Sequence, residues 1–212
     1  MILEKIFNIV YPDVCGICGK IEKNSLCKKC KTKLNFDMHK DKYKDKFFSE
    51  HIYVTNYEGE FRKKLIEYKF YEQAYLYKFF AEIIIEIEKK YRFMKFYDII
   101  LSVPINRKKE LKRGYNQSEL IVEMLAKNTG LELAKNVLIK SKETKQQSLL
   151  SKEERATNIQ GAYKLQDYNI LKGKNVLLFD DIYTTGNTVN ECCRTIKCAN
   201  PGNIGVLTIA KD

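Results

Sequence analysis

Apolar residues along the chain switch repeatedly between a period of two and a helical period. "HIYVTNY" (51–57) reads as a strand, and helical segments follow at about 59–70 and 74–92, with Leu76, Phe79, Phe80, Ile83, Ile84 and Ile87 on one stripe. A strand is predicted at "DIILSVP" (98–104), a helix at about 116–129 and a strand at "VLIKS" (137–141). After a long polar segment come the strand "NVLLFD" (175–180), a helix at about 187–199 and the strand "NIGVLTIA" (203–210). Strands alternating with helices predict an α/β fold, a parallel sheet with helices on its faces. Ligands in such sheets bind at the carboxyl ends of strands.

The stretch "NFDMHKDKYKDKFFSE" is charged and lacks apolar periodicity, so residues 36–48 read as a linker between a small module (1–35) and the main domain (49–212). The small module contains "CGICGKIEKNSLCKKC", a C-x2-C-x8-C-x2-C pattern. Each C-x-x-C turn aims two thiolates at one point, and two turns complete a closed tetrahedron with no open position for catalysis. Cys15, Cys18, Cys27 and Cys30 therefore read as a structural Zn²⁺ site; four free thiols or an iron–sulfur cluster are the competing readings. Cys192, Cys193 and Cys198 fall on the helix after residue 187 and read as small buried hydrophobes.

A length of 212 residues fits one α/β core with a small appendage. The net charge of +11 fits a polyanionic partner, but only six of the 38 basic residues are arginine. With abundant Ile, Asn and Tyr, that is also the composition an AT-rich genome imposes, and solvated surface explains the lysines equally well. "MILEKIFNIVYPDVC" is interrupted by Glu4 and Lys5 and is no secretory signal. No run approaches the roughly 18 apolar residues of a spanning helix. No membrane insertion and a cytoplasmic location are expected.

The candidate chemistry sits in "VLLFDDIYTTGNT" (176–188). Four apolar residues end in Asp180 and Asp181 at a strand's carboxyl end, and the turn Thr184, Thr185, Gly186, Asn187, Thr188 leads into a helix. Backbone N–H groups at a helix start, with hydroxyls beside them and a glycine permitting close approach, form a phosphate cradle. The pattern G-x-x-x-x-G-K-[ST] is absent, which excludes a nucleoside-triphosphate P-loop. Carboxylates beside a phosphate cradle make sense when the ligand brings hydroxyls that want acceptors, as a ribose 5-phosphate does. The plain alternative is an acidic turn that caps a helix.

This stretch resembles the phosphoribosyl diphosphate (PRPP) signature of type I phosphoribosyltransferases. Other segments are similar to the ComF (GntX-like) branch of that superfamily, whose members join a cysteine-rich finger to a phosphoribosyltransferase domain. They are "YEGEFRKKLIEYKF" (57–70), "VPINRKKELKRGYNQSELI" (103–121) and "TKQQSLLSKEERATNIQGAY" (144–163). At Tyr71 and Glu72 the chain departs from the family, which more often has a glycine there.

The resemblance implies PRPP binding at Asp180, Asp181 and residues 184–188, with Mg²⁺ and a basic loop neutralising the leaving diphosphate. Pro104, Arg107, Arg113, Gly114, Asn116 and Gln117, with Lys108, Lys109 and Lys112, are the candidates for that loop. An exposed basic loop, or one that tracks a nucleic-acid backbone, is the alternative. Lys145, Gln147 and Arg155 fall where the fold often carries a flap over the substrate. The implied role is handling of incoming single-stranded DNA in natural competence, beside DNA uptake and recombination proteins. A metabolic enzyme transferring ribose 5-phosphate from PRPP to a nucleobase stays open, although the sequence reveals no base-recognising segment.

Overall fold

The protein, seen in a computed structural model over residues 13–71, 73–142 and 159–212, is built on a six-stranded sheet. Its strands are β1 (His39–Lys42), β2 (Glu50–Asn56), β3 (Ile99–Ser102), β4 (Glu132–Leu133), β7 (Val176–Tyr183) and β8 (Ile204–Lys211), in the order β1-β2-β8-β7-β3-β4. Among the described strands of this sheet only β1 is antiparallel to its neighbour. The helices are α1 (Lys28–Lys31), α2 (Gly59–Phe70), α3 (Leu76–Tyr91), α4 (Arg107–Arg113), α5 (Gln117–Thr129) and α6 (Asn187–Lys197).

Parallel strands covered on both faces need apolar residues on both, so β7 opens with Val176, Leu177, Leu178 and Phe179, all fully buried. Leu177 and Phe179 pack in one core with α2, α3 and α5, through residues such as Leu65, Phe80, Ile84 and Ile121. Val176 and Leu178 pack in the other with Cys192, Cys193 and Ile196 of α6. All six residues of the stripe read from the sequence on α3 are buried. Among the described residues no helix is long and apolar enough to cross a membrane.

The structure departs from the sequence reading at several places. "VLIKS" supplies β5 (Leu138–Lys140), but this strand leaves the main sheet and pairs antiparallel with β6 (Tyr163–Leu165). The place beside β3 goes to Glu132–Leu133. Within 36–48, residues 39–42 form the edge strand β1, and Phe48 is buried in the second core. Lys40, Asp41 and Lys42 suit an edge strand, where charge deters further pairing. Cys198 is exposed, unlike its buried neighbours Cys192 and Cys193, because it lies one residue past the end of α6.

Candidate functional site

The acidic pair lies within β7 rather than after it. Asp180 sits in register with Thr208, and the ladder continues through Ile182 and Tyr183 to Ala210 and Lys211 of β8. The turn is therefore confined to residues 184–186, and Asn187 and Thr188 open α6. Thr184 is exposed, and Thr185, Asn187 and Thr188 are partly so. The Asn187 N–H donates to Thr185 Oγ1 at 3.5 Å, and the N-cap residue of α6 is Gly186, which has no side chain to offer. N–H groups at a helix start favour an anion.

Gly186 is fixed by two constraints. It adopts φ +74°, and a Cβ placed on it would lie 2.2 Å from Tyr183 Oη. The Tyr183 ring is held in turn by stacking on buried His51, with centroids 4.3 Å apart. His51 Nε2 lies 2.8 Å from Thr208 Oγ1, and burial pushes its pKa down to about 4, so the imidazole is neutral. Gly186→Val should distort the turn, since a left-handed residue with a Cβ costs about 1–2 kcal/mol before the clash with Tyr183 is counted. A fall in melting temperature together with weaker binding of inorganic phosphate or PRPP checks this; unchanged binding would contradict the cradle.

Asp180 is partly buried and Asp181 is 8% exposed. Burial and the neighbouring Asp181 charge push the Asp180 carboxyl up to about 7, against the opposing pull of Lys69, the Asp181 N–H and the Ser118 hydroxyl. The Asp181 N–H donates to Asp180 Oδ1 at 2.9 Å, and Lys69 Nζ meets Asp181 Oδ1 at 2.8 Å. Lys69 and Ser118 were not singled out from the sequence. They lie far from the acidic pair along the chain, and only folding brings α2 and the start of α5 to the end of β7.

β3 is the hydrogen-bonded neighbour of β7, so the segment after it emerges at the same end of the sheet. There the predicted loop is largely helical: α4 runs Arg107–Arg113, begun by Asn106, whose side chain accepts from Lys108 N, and ended by Gly114 at φ +79°. Pro104, Arg107 and Asn116 border a cavity of about 380 Å³, together with Glu119, Lys135 and Lys140. Asn116 is buried; its Oδ1 accepts from Ser118 N and its Nδ2 donates to Val103 O, so it shapes the start of α5. Gln117 is buried as well, and its carbonyl accepts from Tyr68 Oη at 2.7 Å. The three flap candidates, Lys145, Gln147 and Arg155, lie outside the described residues.

The second site is the cysteine cluster. The Sγ atoms of Cys15, Cys18, Cys27 and Cys30 lie within 4.8 Å of one another, with Cys18 exposed and the other three buried. Four convergent thiols form a donor set suited to one metal ion. Burial pushes the Cys15 thiol up, but N–H groups of Cys27, Cys18 and Ile17 outweigh it and leave it at about 6. That makes Cys15 a ready thiolate. The cluster is docked on the main domain: Gly16 lies so close to α3 that a Cβ would come within 2.7 Å of Phe79 Cβ.

The sheet order, the acidic strand end and the glycine turn fit a phosphoribosyltransferase-type fold. Residues 118–212 match the phosphoribosyl transferase domain family. The chain is similar to Competence protein F of Haemophilus influenzae, 27% identical over 68% of this chain and 65% of that protein. It is also 29% identical to the DNA utilization protein YhgH of Escherichia coli strain K12, over 47% of this chain and 43% of that protein. Competence protein ComFC of Streptococcus pneumoniae aligns over 98% of this chain and 85% of its own length at 25% identity. The match thus spans less than two thirds of the Haemophilus and Escherichia proteins. The chain resembles proteins named for competence and DNA utilization, and the phosphoribosyl transferase match covers residues 118–212, less than half of its length.

Proposed function

We propose that this protein binds PRPP at the carboxyl end of β7 and serves natural competence by handling incoming single-stranded DNA in the cytoplasm. The observation that carries the site is the acidic pair at the end of β7 followed by the glycine turn that opens α6. Asp180 and Asp181 accept the ribose hydroxyls, and the N–H groups and hydroxyls of 184–188 take the 5-phosphate. Arg107, with Arg113 and the backbone around Gly114, is assigned to the diphosphate, and Pro104, Asn116 and Gln117 shape that region. Mg²⁺ bound with PRPP would neutralise diphosphate charge. Zn²⁺ is the ion assigned to Cys15, Cys18, Cys27 and Cys30, because a closed all-thiolate set favours it.

Two surface features support the nucleic-acid part. Lys28, Lys29 and Lys33 border a cavity of about 740 Å³ beside the cysteine cluster. Phe70 and Tyr71, directly after Lys69, are 63% and 67% exposed. Cationic grooves with aromatic platforms suit single strands, since every base offers a face for stacking. Proteins named for competence and DNA utilization among the relatives agree with that role.

Incubation with Mg²⁺, PRPP and a panel of nucleobases should give no rapid base-dependent diphosphate release. Single-stranded DNA binding, measured in parallel, should weaken steeply with salt, by a logarithmic slope of about 0.7 per phosphate neutralised. Deletion of the gene should impair transformation. Rapid turnover with one base, with DNA uptake intact after deletion, would instead establish a metabolic transferase.

A further inference from the structure

We propose that Lys69 is a positioning residue for the acidic pair, holding the Asp181 carboxylate at the end of β7 and cancelling its charge so that a polyanionic sugar phosphate can enter. This rests on the PRPP reading and extends it to a residue with no part in the cradle. Two carboxylates beside a phosphate cradle repel the ligand that the cradle attracts, and this repulsion strengthens where water is excluded. The fold answers with an ion pair brought from another segment, Lys69 Nζ to Asp181 Oδ1 at 2.8 Å, with side chains only 24% and 11% exposed.

The placement of Lys69 is fixed by its surroundings. Phe61, Leu65 and Tyr68 bury the inner side of α2, and Tyr68 Oη is tied to the Gln117 carbonyl at 2.7 Å. The last turn of α2 therefore cannot drift from the start of α5, whose Ser118 lowers the pKa of Asp180. The ionisable and polar groups acting on Asp180 are Asp181 on its own strand, Lys69 from α2, Ser118 from α5, Tyr163 from β6 and Cys192 from α6. Among these groups Lys69 is the cation. Asp180 already titrates near neutrality with Lys69 in place. Without that charge the pair should hold its proton to still higher pH.

The test is a ¹³C carboxyl NMR titration of aspartate-labelled protein, free of ligand, for the wild type and for Lys69→Met, Lys69→Gln and Lys69→Arg. The apparent pKa of the pair should rise by about one unit in the Met and Gln variants, the lower end of what an opposite charge within a few ångströms exerts. It should stay near the wild-type value in Lys69→Arg. Methionine and glutamine both remove the charge and only arginine keeps it, so a shift in both neutral variants that arginine does not show assigns the effect to charge. Titration calorimetry with Mg²⁺ and PRPP should show affinity falling about tenfold in the neutral variants, the equivalent of that one unit, with Lys69→Arg largely restoring it. An unshifted titration in folded Lys69→Gln would overturn the role of Lys69. A shifted titration with no PRPP binding by the wild type would support that role and overturn the ligand reading instead.

Discussion

Asp180→Asn combined with Asp181→Asn should reduce PRPP affinity a hundredfold or more. Each charge-assisted hydrogen bond lost to a ribose hydroxyl costs about 1.5–3 kcal/mol, and two lost bonds exceed the roughly 1.4 kcal/mol that corresponds to each tenfold change. The fold should survive, because the substitution is isosteric and removes a like-charge pair from a partly buried strand end. The Asp181 side chain does lose its ion pair with Lys69, which limits any gain in stability. Calorimetry with Mg²⁺ and PRPP, with thermal melting as the control, checks the expectation. An unchanged dissociation constant in a variant that melts normally would move the ligand away from the end of β7.

Removal of the metal should have an even larger effect, and it should not stay within the finger. A structural zinc site can supply about 10–16 kcal/mol of apparent binding energy in an isolated finger, energy that becomes folding energy. Here Cys15, Cys27 and Cys30 belong to the same buried cluster as Leu76, Phe79 and Phe80. The finger is tied to α3 by Lys31 with Glu86 at 2.7 Å and by Lys78 with Asp13. Loss of the metal should therefore unseat residues that pack on α3 and lower the melting temperature of the main domain. Elemental analysis should find about one zinc per chain. Chelation, or Cys27→Ser, should remove it and broaden or lower the melting transition. Metal content unaffected by Cys27→Ser, or melting insensitive to chelation, would refute the assignment.

The sequence made the strongest elements legible because their patterns are set locally. The stripe from Leu76 to Ile87 has helical spacing, and the structure buries every residue of it. The central strands could be read from continuous apolar runs, and α2 ends at Phe70 as its pattern predicts. The two C-x-x-C pairs needed only their spacing to suggest one cluster, and their sulfurs converge. The acidic pair was placed by the apolar run before it, although β7 extends through Tyr183.

Strand partners and charge compensation were decided elsewhere. "VLIKS" has the pattern of a strand, but nothing in it specifies whether β3 or β6 is its neighbour, and the antiparallel ribbon with β6 was formed. The charged segment around His39 carries no apolar alternation because an edge strand can leave both faces wet, and it became a strand through the exposed edge of β2. By itself the sequence determined the α/β class, the cysteine cluster and the placing of the acidic pair toward the end of a strand, since periodicity and short spacings are local properties of the chain. Tertiary structure alone decided that Lys69 neutralises Asp181, that Ser118 reaches Asp180 and that Tyr183 excludes a side chain at residue 186. The first two contacts join segments distant in sequence, and the third depends on His51 of β2 stacking on Tyr183; their energies exist only once the packed core has fixed these distances.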